Sequence, residues 1–212
     1  MGRPSRPPLT REDIVRAALE LVDEQGPDAL STPRIAARLG VKGPSLYHHV
    51  SGREEILEGI RELILSEMDL DLTVRPWTAA VENWARAYRA AFAAHPRTIP
   101  LLTGRPVRSL TVLNRYAQAF DLLREGGWPE EHLLPLVQSV EYFLSGSALA
   151  LVDAATDLPL RTEDLLPGLG PILNAPPDYR EIAFETGLSA LIRGFQDTLR
   201  TLTPAPGALR PG

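Results

Sequence analysis

Apolar positions recur at helical spacing along most of this chain, and no stretch alternates as a half-buried strand would. The first run is Ile14, Ala17, Ala18, Leu21 and Val22. Thr10 ahead of it, with Asp13 three residues on, is a capping-box signal, and the Gly-Pro of "EQGPD" closes it. A second helix begins with Ser31 or Thr32 as N-cap and Pro33 at its first position, where a missing N–H costs nothing. Ile35, Ala36 and Leu39 form its stripe, and Gly40 suits a left-handed cap. A few residues later Pro44 opens a third helix, "PSLYHHV", with Leu46 and Val50 inward and Ser45 and His48 outward. Two short helices about a glycine turn make a helix-turn-helix. "SGRE", Ser51 to Glu54, reads as a second capping box launching a longer helix through Ile56, Leu57, Ile60, Leu63 and Ile64.

"DLDLTVRP" is a joint. Beyond it the pattern predicts a helix from Pro76 to about Ala94, with Trp77, Val81, Trp84, Tyr88 and Phe92 roughly in register, then an irregular or short-helix segment, "HPRTIPLLTGRP". Leu110 to Glu125 is helical and stops at Gly126 and Gly127. Pro129 to about Ala155 is a long helix, apolar on more than one side, with Pro135 expected to kink or restart its first turn. Residues 157–178 read as loop, and a last helix runs from about Tyr179 to Leu202. The fold class is all-α: a flexible arm (residues 1–9), a helix-turn-helix domain with its connecting helix (10–70), a larger α-helical domain (71–203) and a flexible tail (204–212).

Composition narrows the function classes. With 44% hydrophobic and 23% charged residues the chain is globular rather than disordered. It holds no apolar run of membrane-spanning length, and "MGRPSRPPLTRED" lacks a signal-peptide core, so a cytoplasmic protein is expected. The absence of cysteine removes disulfides, thiolate nucleophiles and Cys-ligated zinc. No nucleophile, base and orienting group cluster, which argues against an enzyme, and no cofactor or metal is implied. The adjacent His48 and His49 point about 100° apart on a helix, which does not suit a shared metal.

A net charge of −5 writes no general grip on nucleic acid into the chain. From Ser31 to Arg53, however, there are four basic residues (Arg34, Arg38, Lys42 and Arg53) and no carboxylate. That segment is fitted to meet negative charge.

"TREDIVRAALELVDEQGPDALSTPRIAARLGVKGPSLYHHVSGREEILEGI" resembles the DNA-binding head of TetR-family transcriptional regulators, and "LLTGRP" and "GGWPEEHLLPLVQSVEYFLSG" extend the similarity toward the tetracycline repressor branch. The resemblance implies a ligand-responsive repressor: a homodimer of two DNA heads and two all-α ligand and dimerisation domains, released from a palindromic double-stranded operator by a small effector. It implies that Lys42, Gly43, Pro44, Ser45 and Tyr47 meet bases or sugar-phosphate, that Thr32, His49 and Arg53 meet phosphates, and that Arg34 and His48 share that surface. The first turn of the third helix would aim free N–H groups at a phosphate. It also implies that Leu101 and Ala150 stand where that branch holds magnesium through a histidine and a glutamate; neither can ligate a hard cation.

Other readings stay open. Tyr47 could be a packing residue, and Arg3 and Arg6 either a minor-groove arm or a disordered tail. Trp84, Tyr88, Phe92, Tyr116, Phe120 and Tyr142 could be core, or line a cavity with His95, Leu101, Gln118 and Glu141 for a largely apolar effector. Val140 and Leu144, with Leu188, Leu191, Ile192, Phe195 and Leu199, are candidates for a four-helix dimer interface. An architectural DNA-binding protein without ligand control is the alternative from a different class, and an all-α enzyme the remotest.

Overall fold

The computed structural model describes residues 8–71, 73–152 and 176–202. Every regular element among them is helical. They are α1 (Arg11–Gln25), α2 (Thr32–Leu39), α3 (Gly43–Leu46), α4 (Arg53–Ser66), α5 (Trp77–Ala94), α6 (Ile99–Leu102), α7 (Leu110–Glu125), α8 (Glu130–Val152) and α9 (Tyr179–Leu202). Short 3₁₀ turns precede α2 and α6. The loop expected over residues 157–178 falls mostly outside the described residues, as do the tail, Arg3 and Arg6.

The chain packs as two compact units. One takes residues up to Asp69 together with Ala87–Ala117, the other Leu70–Arg86 together with Gln118 onward. The first unit therefore holds α1 to α4 and also the end of α5, α6 and the start of α7.

Its local structure follows the sequence signals closely. Thr10 caps α1 as expected: the Asp13 N–H donates to Thr10 Oγ1 (3.1 Å) and the Thr10 N–H donates back to Asp13 Oδ2 (2.9 Å). α2 ends in a Schellman arrangement at Gly40 (φ 65°, ψ 35°), with Gly40 N–H to Ala37 O and Val41 N–H to Ala36 O. The left-handed geometry is what folds α3 back so soon after α2. Ile14, Val22, Ile35, Leu46, Leu57, Ile60 and Ile64 are fully buried, so α1, α2, α3 and α4 share one core. Gly59 sets the distance between α1 and α4, since a Cβ there would lie 2.4 Å from Val15 Cγ2.

Two local expectations are corrected. The third helix is one turn, Gly43–Leu46, with Tyr47 as its C-cap, rather than the full "PSLYHHV". The α4 N-terminus has no capping box with Glu54: Gly52 is the N-cap, and both the backbone N–H and the hydroxyl of Ser51 donate to the Glu55 carboxylate (2.7 and 2.9 Å). Those bonds, the backbone one first, hold the Glu55 carboxyl below the usual carboxylate range. Glu54 binds Arg105 instead.

α4 is fastened to the α6–α7 segment by a buried polar clasp. Arg61 is buried and donates to the carbonyls of Leu102 (3.0 Å), Arg105 and Pro106 (both 3.3 Å). Its neighbour Glu58 pairs with it and accepts the N–H groups of Arg108 and Ser109, just ahead of α7. Donors thus meet the carbonyl end of one helix, and a carboxylate meets the N–H end of the next.

In the second unit, Trp128 lies edge-on to Trp77 (5.6 Å between centroids) and to Phe195 (6.2 Å). α8 and α9 pack together through Phe143 stacked on Phe184, and Gly187 leaves the room Phe143 needs. α8 runs through Pro135 as one helix.

Candidate nucleic-acid interface

The surface offered by the helix-turn-helix begins with what lies beneath it. Leu46 is fully buried and Val50 nearly so, which fixes the rotation of α3 and turns Lys42, Pro44, Tyr47, His48 and His49 to solvent. Tyr47 is 60% exposed, so the packing alternative for it is set aside. Exposure of a large aromatic beside two exposed histidines has no structural use within the protomer, and it suits a contact surface.

α2 and α3 enclose an open hollow of about 590 Å³, lined by Thr32, Pro33, Ala36, Ala37, Val41, Gly43, Pro44 and Tyr47. Four sequence candidates, Thr32, Gly43, Pro44 and Tyr47, line this one concavity; Ser45 is half-buried in the same turn. Sequence reading missed Pro33, Ala37 and Val41. Their signal was available: the inward positions of α2 were identifiable, and its opposite side had to face outward.

The arginines behave differently from the expectation drawn from their clustering. Arg38 is engaged by α1, its guanidinium bonded to Glu20 (3.0 Å) and to both oxygens of Glu24 (2.5 and 2.7 Å). The bond from Arg38 holds the Glu24 carboxyl below its ordinary value, and the Arg38 pKa is raised chiefly by the same bond. Arg34 donates to the neutral Gln25 side chain (3.3 Å) and keeps its charge available. Arg53 donates through Nη1 to Leu30 O (2.5 Å), which ties the start of α4 to the α1–α2 connection. Lys42 is exposed, with no ion pair among the described residues. The expected N–H array at α3 is also smaller: Pro44 has no N–H, and Ser45 already donates to Lys42 O (2.9 Å).

The effector candidates fall in both units. In the first, Tyr88 and Phe92 lie with ring centroids 4.5 Å apart, Phe92 is buried, and Leu101 and Tyr116 are half-buried. His95 does not present a free imidazole: its ring nitrogens face Asp23 of α1 and Glu67 after α4. In the second unit Trp84 and Phe120 are half-buried, and Glu141 accepts from Gln138. Gln118 and Tyr142 are exposed, Tyr142 by 71%, so neither lines an enclosed cavity in the protomer. Asn83, next to Trp84, carries a buried Oδ1 with no hydrogen-bond partner among the described residues. An orphaned amide oxygen of this kind is what a polar ligand atom satisfies.

The dimer candidates need a larger correction. Val140, Leu144, Leu188 and Ile192 are buried within the protomer's own core, so they cannot be the exposed face of an interface. Leu191, Phe195 and Leu199 are only partly covered. On these two helices the exposed large apolar groups among the described residues are instead Leu134, Tyr142 and Leu149 on α8, spaced by eight and seven residues, and Tyr179 and Ile182 on α9; Leu110 and Leu113 are exposed on α7.

Among the described residues no group of three His, Cys, Asp or Glu side chains could hold a metal ion, and no helix is long and apolar enough to cross a membrane.

Comparison with known proteins places this geometry. Residues 14–60 match the family described as "Bacterial regulatory proteins, tetR family", and residues 73–165 match "Tetracyclin repressor-like, C-terminal domain". The class D tetracycline repressor of Escherichia coli is 29% identical over 94% of this chain and 94% of its own length. The HTH-type transcriptional repressor DrrR1 of Streptomyces coeruleorubidus is 31% identical over 69% of this chain, which spans 56% of that relative. Apo ActR from Streptomyces coelicolor superposes with a TM-score of 0.80 at 25% identity, covering 94% of this chain and 100% of that one. With both halves of the chain matched and the hollow of the helix-turn-helix facing outward, the protein belongs to the TetR family of ligand-responsive, DNA-binding transcriptional regulators.

Proposed function

We propose that this protein is a homodimeric cytoplasmic repressor that holds a palindromic operator with two heads and leaves it when a small, largely apolar effector binds. The observation that carries the DNA half is the exposed set Lys42, Tyr47, His48 and His49 mounted over the buried Leu46. A rigid mount with solvent-facing donors is what readout of a major groove requires. Two such heads on a two-fold axis match successive half-sites about 34–36 Å apart.

The effector half draws on Asn83, whose unpaired amide oxygen beside Trp84 suits one polar group on an otherwise apolar molecule. ActR, 25% identical with a TM-score of 0.76, is known in complex with actinorhodin, which makes an aromatic polyketide a fitting first probe here. Leu101 and Ala150 bring no oxygen or nitrogen ligands to the positions where tetracycline repressors hold magnesium, so effector binding here proceeds without a divalent cation. For dimerisation, the exposed apolar stripe Leu134, Tyr142 and Leu149, together with Ile182, is the better interface.

The test is fluorescence anisotropy on labelled DNA from upstream of the protein's own coding sequence, with a random fragment as control, at fixed salt. Selective binding of the upstream fragment, and its release by an aromatic polyketide in excess EDTA, support the reading. Equal binding to both fragments makes the protein architectural. Release that depends strictly on magnesium overturns the account of Leu101 and Ala150.

A further inference from the structure

The turn joining α5 to α6 closes the C-terminal end of α1. α1 has no basic side chain in its last turn and carries Asp23 and Glu24 there, both unfavourable at the negative end of a helix. Compensation comes from other elements. Arg38 binds Glu24, and Arg97 Nη1 donates to the carbonyls of Asp23 (2.9 Å) and Glu24 (2.8 Å).

Asp23 itself is left to His95. Oδ2 of Asp23 is 2.6 Å from His95 Nδ1, while Oδ1 is buried and has no hydrogen-bond partner among the described residues. The other ring nitrogen, Nε2, is 3.3 Å from Glu67 Oε2 at the C-cap of α4. The ring is only 17% exposed. A neutral imidazole has one N–H and an imidazolium two, so only the cation donates to both carboxylates.

We propose that His95 is a proton-dependent positioning residue for the DNA-binding head: as imidazolium it ties the C-cap of α4 to the end of α1, and loss of one proton releases Glu67 at that C-cap while Asp23 stays held and the buried face of α4 stays packed on α1. The asymmetry comes from Asp23. With Oδ1 buried and without a donor, its carboxylate depends on the Nδ1–H, so the neutral ring keeps that proton and turns a lone pair toward Glu67. The charged groups around the ring are Asp23 and Glu24 from α1, Glu67 from α4 and Arg97 from its own turn; α6, Ile99–Leu102, brings none. Arg97 is aimed at carbonyls, so the ring is left facing the two carboxylates.

The inference rests on the reading of the protein as a DNA-binding regulator: α4 shares the buried core on which α3 is mounted, so a change at its C-cap reaches the DNA face through that core. The loss of one proton per head bounds the effect at about tenfold per pH unit for each head.

The experiment uses the full-length protein, its wild type, His95→Arg and Glu67→Ala, measured at pH 6, 7 and 8 at fixed ionic strength. Two readouts are taken: operator affinity, and hydrogen-exchange protection of the amides from Ile64 to Met68 without DNA. In the wild type, both fall with rising pH, affinity by about fivefold between pH 6 and 8 beyond any fall in the variants. His95→Arg, a permanent cation, stays protected at every pH, and Glu67→Ala, which has neither donor nor acceptor for the ring and lies exposed enough to leave the fold intact, shows low protection throughout. Identical pH profiles in all three proteins overturn the proposal and assign the remaining response to His48 and His49 on the DNA face. If no protein binds the operator at any pH, the functional reading fails, and the protection factors alone decide for or against the latch.

Discussion

Replacing Gly59 with alanine tests the packing of the head more sharply than any truncation. In a helix interior that change ordinarily stabilises by about 1 kcal/mol, because glycine loses more backbone freedom on folding. Here the added methyl would stand 2.4 Å from Val15 Cγ2 and 3.2 Å from Cγ1, with Arg11 Nη2 at 3.4 Å. Neither neighbour at Val15 can step aside cheaply: a β-branched side chain in a helix has one strongly favoured rotamer, and Val15 is buried. Overpacking of a filled core costs about 1–3 kcal/mol, and here it also forfeits the gain expected of alanine. The net expectation is a loss of about 1–2 kcal/mol. For a chain of this length that is a fall in melting temperature of about 2–8 °C, read by circular dichroism at fixed protein concentration. The companion Val15→Ala removes the obstructing carbons, so the double variant should lose less than the sum of the single changes, a coupling of at least about 0.5 kcal/mol. A rise in melting temperature for Gly59→Ala alone would mean that α1 and α4 are not in close contact there, and the account of the head core would fail.

Four other outcomes are expected. Arg61→Met leaves the partly buried Glu58 without its cation and three carbonyls without that donor, a loss of about 2–4 kcal/mol in urea unfolding; a loss under 1 kcal/mol would make the clasp ornamental. The Glu55 carboxyl is held below its ordinary value, so its contribution is present above about pH 4.5 and lost as pH falls further; thermal stability should decline through that window, and less steeply in Glu55→Gln. Lys42→Ala should reduce the slope of log affinity against log salt by about 0.9 per head, and an unchanged slope would remove Lys42 from the phosphates. Tyr142→Arg should give monomers by sedimentation velocity, and an intact dimer would move the interface off the α8 stripe.

The start of α1 and the end of α2 were legible because each is marked by a local device, Thr10 with Asp13 and the left-handed Gly40, which acts over three or four residues. The outward face of α3 was legible for a related reason: Leu46 and Val50 fix which way that single turn points. What the sequence hid depends on distance along the chain. Arg38 is neutralised by Glu20 and Glu24, 18 and 14 residues away, so a segment with no carboxylate of its own is not a segment without carboxylates. Ser51 chose Glu55 over Glu54, a difference of one residue that spacing rules do not resolve. The stripe through Val140, Leu144, Leu188 and Ile192 reads the same whether it is buried within one subunit or between two, and only the three-dimensional arrangement separates those cases.

The engagement of Arg38 has a kinetic consequence. A regulator must find one operator among a vast excess of other sequence, and time lost on wrong sites grows with the non-specific grip that free cations supply. By turning Arg38 inward onto α1 and leaving Lys42 as the exposed lysine of the reading turn, the head limits its attraction to arbitrary duplex. If the head meets DNA through this face as proposed, Lys42 and Arg34 add the free charge there, so residence on random DNA is short, the search relies on frequent release and rebinding, and discrimination falls to the uncharged contacts of Tyr47, Ser45 and the hollow behind them.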